Sequence, residues 1–349
     1  MENDVTLASV LERVTSGDNL SATQSEYVME EIFTGRATSA QIAGFLVALK
    51  MKGETVGELV GMARIMRTHS VKLDVKVPDC FDTCGTGGDG AQTFNVSSVA
   101  AVVLAGAGVA VAKHGNRSVS SRSGSADLFE AFGVNVEAPP SVVERCLMSA
   151  GIAFCYAPTF HPSMKHVGPT RRELGIRTAF NLLGPLTNPA RVRRQIVGVP
   201  NSEVIDLVAS ALLSLGSERV WVVHGAGGLD ELSPIGSTEV CEIHQGQLSR
   251  FSIQPEDFGV KPSDIDALRV DSVVESHKMA ASVLAGESGP GRDIVLMNAA
   301  AGLVVAGQAD TLDDGMRLAA AAIDEGRASA VLEQMVTYSQ DVDRHENGR

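Results

Sequence analysis

The segment of this chain most suited to chemistry is DTCGTGGDG at residues 82–90, which has four glycines in its last six positions. Glycine adds no side chain to a core and costs backbone entropy on folding, so this density indicates a backbone that turns tightly around a ligand. The apolar residues 99–104 continue as a helix would. A glycine loop that leads into a helix N-terminus is typical of a phosphate-binding site, whereas a flexible surface loop fits poorly beside such apolar flanks. Neutral donors stand between loop and helix, at Thr93, Asn95, Ser97 and Ser98.

A second polar segment, KHGNRSVSS at residues 113–121, directly follows an apolar stretch that is typical of a strand. It is therefore expected at the carboxyl end of that strand, where open α/β sheets bind their ligands. Lys113 and Arg117 supply positive charge, and the serines and backbone amides supply neutral donors. This combination favours polyphosphate binding. For Ser123 and Ser125, just beyond the segment, capping of the next helix is an alternative.

Two adjacent carboxylates, Asp230 and Glu231, follow another apolar stretch and a glycine-rich turn. Adjacent residues do not share one helical face, but in a loop both can point at a hard cation such as Mg²⁺. A solvated acidic turn is the alternative. Beside two anion-binding loops the cation site is favoured, because Mg²⁺ commonly bridges carboxylates to substrate phosphates.

Two further residues are open between binding and structural roles. Arg171 could clamp a carboxylate through two parallel hydrogen bonds. Taken alone, however, its pairing with Arg172 favours a solvated helix face. His161 stands between Phe160 and Pro162, where a local structural role and a ligand role are equally supported.

The elements that must position these residues fall into two regions. Helical spacing of apolar residues predicts four short helices in the first 70 residues, with Ser21, Gln24 and Thr55 as capping signals. Apolar runs then alternate with helical stretches, which predicts an α/β fold with a mostly parallel sheet. The strands are expected at 108–112, 152–156, 197–199 and 219–224, the helices at 124–132, 140–150, 202–215 and 274–338, and a hairpin at 238–244 and 248–253. The sequence thus predicts a helical domain over 1–73 and a larger α/β domain over 74–349.

Composition limits the possible functions. The 349 residues carry a formal net charge of −13, which argues against nucleic-acid binding, since that relies on a basic surface. The uncharged residues 91–112 are interrupted by polar side chains and glycines, so no membrane span is expected there. Five cysteines without a preceding secretory segment indicate free thiols and a cytoplasmic location. Cys80 and Cys84 lack the second pair, or the spaced histidines, of a zinc site.

Taken together, these motifs resemble those of the anthranilate phosphoribosyltransferase family of tryptophan biosynthesis. The resemblance rests on residues 82–89, 95–98, 113–121, 230–231 and NLLGPLTNP at 181–189, and it runs in register from about residue 5 to 335. It implies a nucleoside phosphorylase/phosphoribosyltransferase-like fold with the active site at the hinge between the domains, a mid-chain segment near 168–190 joined to the helical domain, and a homodimer. The implied substrates are 5-phosphoribosyl 1-diphosphate and anthranilate, with Mg²⁺ as cofactor.

The resemblance also assigns roles to individual residues. Anthranilate would contact Gly85, Asn116 and Arg171, so the resemblance reverses the solvated-face interpretation of Arg171. Its channel would be lined by His114, Pro158 and His161. Ser97 would contact one Mg²⁺, and Asp230 with Glu231 would hold metal on the other side. The phosphoribosyl donor would contact Gly85, Gly88, Asp89, Thr93, Asn95, Val96, Ser97, Ser98, Lys113, His114, Gly115, Asn116, Arg117, Ser118, Val119, Ser120, Ser121 and Ser125. Arg122 and Ser98 stand where the family more often has Lys and Thr.

The implied reaction is displacement of diphosphate from C1 of ribose by the amine of anthranilate, giving N-(5-phosphoribosyl)anthranilate. Lys113, Arg117 and the loop amides would stabilise the charge of the leaving group. His114 is the nearest candidate for a general base. Two alternatives are a pyrimidine nucleoside phosphorylase-like enzyme, which would use free phosphate, and a non-catalytic relative that binds nucleic acid. Pyrimidine nucleoside phosphorylases lack the KHGNR segment in this form, and a relative that binds nucleic acid would need a basic surface.

Overall fold

The first region of the chain is a bundle of four helices. In the computed structural model, which describes residues 6–74, 79–118 and 122–341, they are α1 (Leu7–Thr15), α2 (Ala22–Phe33), α3 (Ser39–Lys52) and α4 (Val56–His69). Each begins with a capping box, in which a Ser or Thr side chain accepts from the backbone three residues on; such a cap stabilises a helix by about 1 kcal/mol. The caps at Ser21 and Thr55 are among them. The predicted helical region is confirmed.

The second region is built on a seven-stranded mixed sheet. Its strands are β1 (Phe81–Gly85), β2 (Val111–Gly115), β3 (Ile152–Tyr156), β4 (Arg194–Gly198), β5 (Arg219–Gly225), β6 (Thr238–His244) and β7 (Gln247–Ile253). Their order in the sheet is β3-β2-β1-β4-β5-β6-β7. The first five strands pair in parallel, and β6 and β7 add an antiparallel hairpin at one edge. The predicted mostly parallel sheet and its hairpin are both confirmed.

Helices cover both faces of this sheet. The α-helices that follow the bundle are α5 (Val96–Gly106), α6 (Ser125–Ala131), α7 (Pro140–Ala150), α8 (Ala157–Phe160), α9 (Gly168–Leu174), α10 (Ala179–Leu183), α11 (Ile205–Ser214), α12 (Val273–Leu284), α13 (Pro290–Ala306), α14 (Leu312–Asp324) and α15 (Arg327–Gln340). One face packs against α5 and α13 to α15, while the other shares a core with α11 and the N-terminal bundle. The bundle therefore lies against the sheet and completes one of its two layers.

Three strands differ from the sequence prediction, and one of them is β4, which begins at Arg194 instead of residue 197. The start of the glycine-rich segment is not loop but strand β1, and its Asp82 is fully buried. The Asp82 carboxylate accepts from His114 N at 3.2 Å and from Asn188 Nδ2 at 2.8 Å, and these bonds satisfy a buried charge. Strand β2 begins at Val111 instead of residue 108, because Val109 N donates to Leu104 O at 3.1 Å and belongs to the turn that ends α5. It ends at Gly115 instead of residue 112, so the first three residues of the predicted segment 113–121 lie within the strand.

The mid-chain segment near 168–190 packs on the N-terminal bundle. Phe180 of α10 stacks on Phe33 of α2 with ring centroids 6.5 Å apart, and Lys50 Nζ of α3 donates to Arg177 O at 2.8 Å. The buried side chains of Leu183 and Leu186 belong to the same core as the bundle. We propose on these contacts that the segment is part of the helical domain.

The predicted class, a small helical N-terminal domain followed by a larger α/β domain, is confirmed. The predicted boundary between residues 73 and 74 stays a prediction. Over the three described ranges, no helix combines the length and the apolar character needed to cross a membrane.

Candidate active site

The candidate site lies where two neighbouring parallel strands end. β1 and β4 pair side by side, with Gly85 opposite Gly198, and the chain leaves them toward opposite edges of the sheet. Ligands of open α/β sheets bind at such a reversal of strand order. A Cβ built on Gly85 would lie 2.2 Å from Asp230 Oδ2, and one on Gly198 would lie 1.5 Å from Asp230 O. The two glycines therefore make the space in which Asp230 sits. Gly198 was not predicted from the sequence.

The two predicted metal-binding carboxylates face the glycine loop and the start of α5. Asp230 Oδ2 accepts from Gly87 N at 2.9 Å, and Glu231 Oε1 accepts from Ser97 N at 3.2 Å. Burial and the charge of Asp89 raise the pKa of Asp230 to about 7. Burial, followed by the charge of Asp230, raises the pKa of Glu231 well above its usual range. A cation between these carboxylates would relieve their repulsion.

The donor set at this place fits Mg²⁺. The chain supplies two carboxylates, Asp230 and Glu231, beside a partly buried serine, Ser97. No group of three or more His, Cys, Asp or Glu side chains that could hold a metal occurs among the residues that the structure describes. Mg²⁺ is commonly held by one or two carboxylates, with water and substrate phosphates completing its shell. The arrangement therefore favours a metal that binds together with a phosphorylated ligand.

A buried amide on α13 fixes the position of the carboxylate pair. Asn298 Oδ1 accepts from Leu232 N at 3.0 Å, and its Nδ2 donates to Leu232 O at 3.1 Å and to Ile294 O at 2.9 Å. Asn298 is 3% exposed in a helix whose other buried residues are apolar or glycine. The backbone N–H and C=O groups of Leu232, which follows Glu231, are thus both hydrogen-bonded from within the core. This residue was missed from the sequence.

The positive charge of Lys113 is buried beneath the site. The Lys113 side chain is 2% exposed, and its Nζ donates to His114 O at 3.4 Å. Its charge acts to lower the pKa of both Asp82 and Glu231, although burial prevails and raises the pKa of each. Lys113 therefore lies close to the predicted metal site and balances its negative charge.

The residues predicted in the glycine loop and at the start of α5 lie at the same site as the carboxylate pair. Asn95 precedes α5, and its side chain is engaged with Ser123 and Ser276: Oδ1 accepts from both hydroxyls at 2.7 and 2.8 Å, and Nδ2 donates to Ser123 O at 3.0 Å. Val96 packs in the core. Thr93 pairs with Arg269 in an isolated bridge, Asp89 Oδ1 accepts from Ala91 N at 3.2 Å, and the buried Ser98 hydroxyl has no hydrogen-bond partner within the described ranges.

The second predicted segment is held by Asp127 of α6. Its Oδ2 accepts from Ser118 N at 3.1 Å and from Gly124 N at 2.8 Å, so one carboxylate holds both of these amides. Asp127 was also missed from the sequence. The exposed Asn116 is held to the start of α6, since Ser125 Oγ donates to its carbonyl at 3.3 Å. A Cβ at Gly115 would lie 2.1 Å from Ser125 Oγ. The predicted residues Val119, Ser120 and Ser121 lie outside the described residues.

Arg117 faces carboxylates instead of the open site. Its guanidinium lies 3.1 Å from Asp127 Oδ1 and 2.7 Å from Glu130 Oε2, and these hydrogen bonds raise its pKa. It also lies over the ring of Tyr156, 5.9 Å from the centroid. A catalytic role for Arg117 stays a prediction, and in it the guanidinium must exchange these partners for phosphate.

A pair of buried histidines lies beside the site. His114 Nδ1 is 3.2 Å from Gly184 O, its ring centroid is 5.2 Å from that of His161, and its Nε2 has no hydrogen-bond partner in the described part of the chain. Burial, followed by the nearby His161, lowers the pKa of His114 to about 3, and burial lowers that of His161 to about 4. Both imidazoles are therefore neutral near pH 7. Pro158, predicted for the same channel, is exposed on α8.

Arg171 offers a partly buried positive charge. Its guanidinium lies over the Phe180 ring, 5.2 Å from the centroid, and burial lowers its pKa. Within the described ranges no carboxylate lies within salt-bridge distance of it. A cation that has lost part of its hydration and has no counter-ion among the described residues is suited to bind an anionic ligand.

Comparison with known proteins identifies the family. Residues 77–329 match the model of the glycosyl transferase family α/β domain, and residues 8–70 match that of its helical bundle domain. The anthranilate phosphoribosyltransferase of Moorella thermoacetica is 49% identical over 332 residues, which cover 95% of this chain and 98% of that protein. The chain belongs to the anthranilate phosphoribosyltransferase family. It is an enzyme of the pentosyl-transferring glycosyltransferase class.

Solved structures agree with this family assignment. The anthranilate phosphoribosyltransferase of Thermus thermophilus is 42% identical with a TM-score of 0.89, over 94% of this chain and 98% of the other. The Saccharomyces cerevisiae enzyme in complex with PRPP and Mg is 29% identical with a TM-score of 0.88, over 97% and 98%. For this member of the family, the comparisons support the phosphoribosyltransferase prediction and not the nucleoside phosphorylase or nucleic-acid-binding alternatives.

One prediction concerns His114. A base with a pKa of about 3 stays neutral throughout pH 6–9 and takes up a proton only weakly. We therefore expect His114→Ala to lower kcat by less than about tenfold, below the usual contribution of a general base, and to leave the shape of the pH–rate profile unchanged. The same measurements on His244→Ala, an exposed histidine on β6, provide the control. Loss of an ionisation between pH 6 and 8 in His114→Ala would instead identify it as the base.

Proposed function

We propose that this chain transfers the 5-phosphoribosyl group from 5-phosphoribosyl 1-diphosphate to the amine of anthranilate, releasing diphosphate, as a step of tryptophan biosynthesis. The observation that carries the proposal is the carboxylate pair Asp230 and Glu231, held over the β1–β4 junction and in contact with both the glycine loop and the start of α5. A metal held by these carboxylates would lie next to a loop and a helix N-terminus that are suited to bind phosphate. The yeast relative bound to PRPP and Mg supports Mg²⁺ as the metal.

The glycine loop and the start of α5 would hold the diphosphate. Backbone N–H groups at a helix N-terminus favour negative charge, and the buried Lys113 adds a positive one. Mg²⁺ held by Asp230 and Glu231 would supply further positive charge to the leaving group. As the bond between C1 and the diphosphate oxygen breaks, these groups stabilise the charge that develops on that oxygen.

Anthranilate would bind beside Arg171, whose guanidinium would hold its carboxylate and direct its amine toward C1. A second yeast structure, in complex with 4-fluoroanthranilate, supports this class of acceptor. Neither buried histidine is a strong base, so the transfer depends chiefly on position and electrostatics. After the new C–N bond has formed, the ammonium nitrogen loses its proton to water or to the released diphosphate.

The direct test of this function uses fluorescence. Anthranilate emission should fall when the protein, the phosphoribosyl donor and Mg²⁺ are all present, and it should stay constant when any one of them is left out. Release of free base from a nucleoside with free phosphate, together with constant anthranilate emission in the presence of the diphosphate donor, would favour the phosphorylase reaction instead.

The proposed role of Arg171 gives a second prediction. Removing a hydrogen-bonded charge pair costs about 1.5–3 kcal/mol, so Arg171→Ala should raise KM for anthranilate about 10- to 100-fold and change KM for the donor little. Arg172→Ala, an exposed neighbour on the same helix, provides the control and should change neither KM. Equal increases in both KM values for Arg171→Ala would contradict the clamp.

We further propose a homodimer in the cytoplasm. The family resemblance implies that the dimer forms through the helical bundle, where Met51 on α3 is 83% exposed. All five cysteines are buried thiols, as is usual where thiols stay reduced. Light scattering of the purified chain and of Met51→Glu tests the assembly.

A further inference from the structure

Arg177, in the segment between α9 and α10, lies directly on the glycine loop. Its Nη1 donates to Gly87 O, and its Nη2 lies 3.5 Å from Thr86 O. A Cβ built on Gly88 would be 1.5 Å from Arg177 Nη1, so a side chain at this position would displace the guanidinium. Neither the sequence motifs nor the proposed reaction gives Arg177 a role.

The two carbonyl groups that contact Arg177 belong to successive peptide units. In a trans peptide unit the C=O and N–H bonds point in opposite directions. The unit between Thr86 and Gly87 is held at both ends, because its C=O faces Arg177 and its N–H donates to Asp230 Oδ2 at 2.9 Å. In the next unit, Arg177 holds the carbonyl of Gly87, so the Gly88 N–H points away from the guanidinium.

The Gly88 N–H is available for a ligand. Gly88 is exposed, and no hydrogen bond from its N–H to another described residue is present. Its φ of +76° is one that glycine adopts at little cost. A fixed N–H without an acceptor, beside a metal-binding carboxylate pair, is suited to an anionic oxygen.

Arg177 is itself fixed by the helical bundle. Lys50 Nζ of α3 donates to the Arg177 backbone carbonyl at 2.8 Å. No carboxylate in the described part of the chain lies within salt-bridge distance of the Arg177 guanidinium, so its fork of donors is free to bridge carbonyl groups. The bundle, Arg177 and the glycine loop thus form one continuous chain of hydrogen bonds across the two domains.

We propose that Arg177 is a positioning residue that orients two successive peptide units of the glycine loop, so that Gly88 N–H is presented to the diphosphate of the phosphoribosyl donor. The inference rests on the proposed function, because that function places diphosphate on this loop. It predicts that Arg177 affects the affinity for the phosphoribosyl donor and does not affect the affinity for anthranilate.

The test measures binding of inorganic diphosphate with Mg²⁺ to the full chain by calorimetry. Arg177→Ala is expected to raise the Kd for diphosphate tenfold, which corresponds to a loss of about 1.4 kcal/mol in binding free energy. Arg177→Lys keeps the charge but has no planar fork to bridge two carbonyl groups, so its Kd should lie between those of wild type and Arg177→Ala. Arg172→Ala, an exposed arginine slightly earlier in the chain, should bind as wild type does. KM for anthranilate should be unchanged in all three.

Three outcomes would overturn the inference. They are an unchanged Kd in Arg177→Ala, a Kd of Arg177→Lys equal to that of wild type, which would make charge alone sufficient, and an equal rise in KM for anthranilate, which would indicate a general structural role. If the wild type consumes anthranilate while Arg177→Ala binds diphosphate normally, only this inference fails. If the wild type neither binds diphosphate nor consumes anthranilate, the proposed function fails with it.

Discussion

Replacing both site carboxylates, as Asp230→Asn with Glu231→Gln, is expected to reduce kcat/KM on the order of 10³-fold or more and to abolish activation by Mg²⁺. The amides keep the size of the side chains and can still accept from Gly87 N and Ser97 N. What they remove is the negative charge that would hold the metal against the diphosphate. A Mg²⁺ titration of activity, compared with that of the wild type, measures the effect.

Whereas activity should fall, the thermal stability of the metal-free double amide should rise. Burial raises the pKa of both carboxylates, and the charge of Asp89 adds to this at Asp230 as that of Asp230 does at Glu231, so without metal the charged pair is a cost to the folded chain. The double amide should therefore melt a few degrees higher than wild type without Mg²⁺. Wild type should gain stability when Mg²⁺ and diphosphate are added, and the variant should not. Glu12→Gln with Asp310→Asn, two exposed carboxylates elsewhere, matches the change in charge. An unchanged Mg²⁺ titration in the double amide would contradict the metal assignment.

The second large effect is expected from Gly85→Ala, which should lower kcat/KM about 100-fold. A Cβ at this position would lie 2.2 Å from Asp230 Oδ2 and 2.8 Å from its Cγ. The short Asp230 side chain must therefore rotate away and lose its bond with Gly87 N. The sequence resemblance placed both substrates against Gly85. The structure adds a third neighbour, the Asp230 carboxylate, through which the substitution also acts.

The expected signature of Gly85→Ala is weaker Mg²⁺ activation with little change in melting temperature. Gly44→Ala is the matched control, because a Cβ there meets only Leu11 Cδ2 at 4.0 Å. In that helical position alanine should be neutral or slightly stabilising. A Gly85→Ala variant that keeps the wild-type Mg²⁺ titration would separate Gly85 from the metal site.

Local signals account for what the sequence predicted well. The bundle helices are indicated by capping boxes, in which the two partners are three residues apart, as at Ser21 and Gln24. The hairpin of β6 and β7 turns through Gln245 and Gly246, both with positive φ. The pair Asp230 and Glu231 is visible because it breaks an otherwise apolar and glycine-rich stretch. Each of these features is encoded within a few neighbouring residues.

Features with distant partners could not be predicted in this way. Asp82 is in a strand because its carboxylate is satisfied by Asn188, 106 residues later in the chain. Asn298 holds Leu232 from a helix 66 residues away, and alone it is a single polar residue in an apolar helix. Arg117 was predicted to face phosphate, but its charge is matched by Asp127 and Glu130 on α6. Asn188 and Asn298 meet their partners only through the tertiary fold, whereas the partners of Arg117 lie 10 and 13 residues further along the chain, on the next helix.

The packing of α10 against the bundle also bears on how the chain folds during synthesis. Helices α1 to α4 leave the ribosome first, yet the core that they bury includes Phe180, Leu183 and Leu186. These residues are synthesised only after β1, β2 and β3. Contacts distant in sequence carry a large entropic cost of loop closure. The N-terminal bundle therefore cannot complete its core while it emerges, and the two domains finish folding together instead of in sequence.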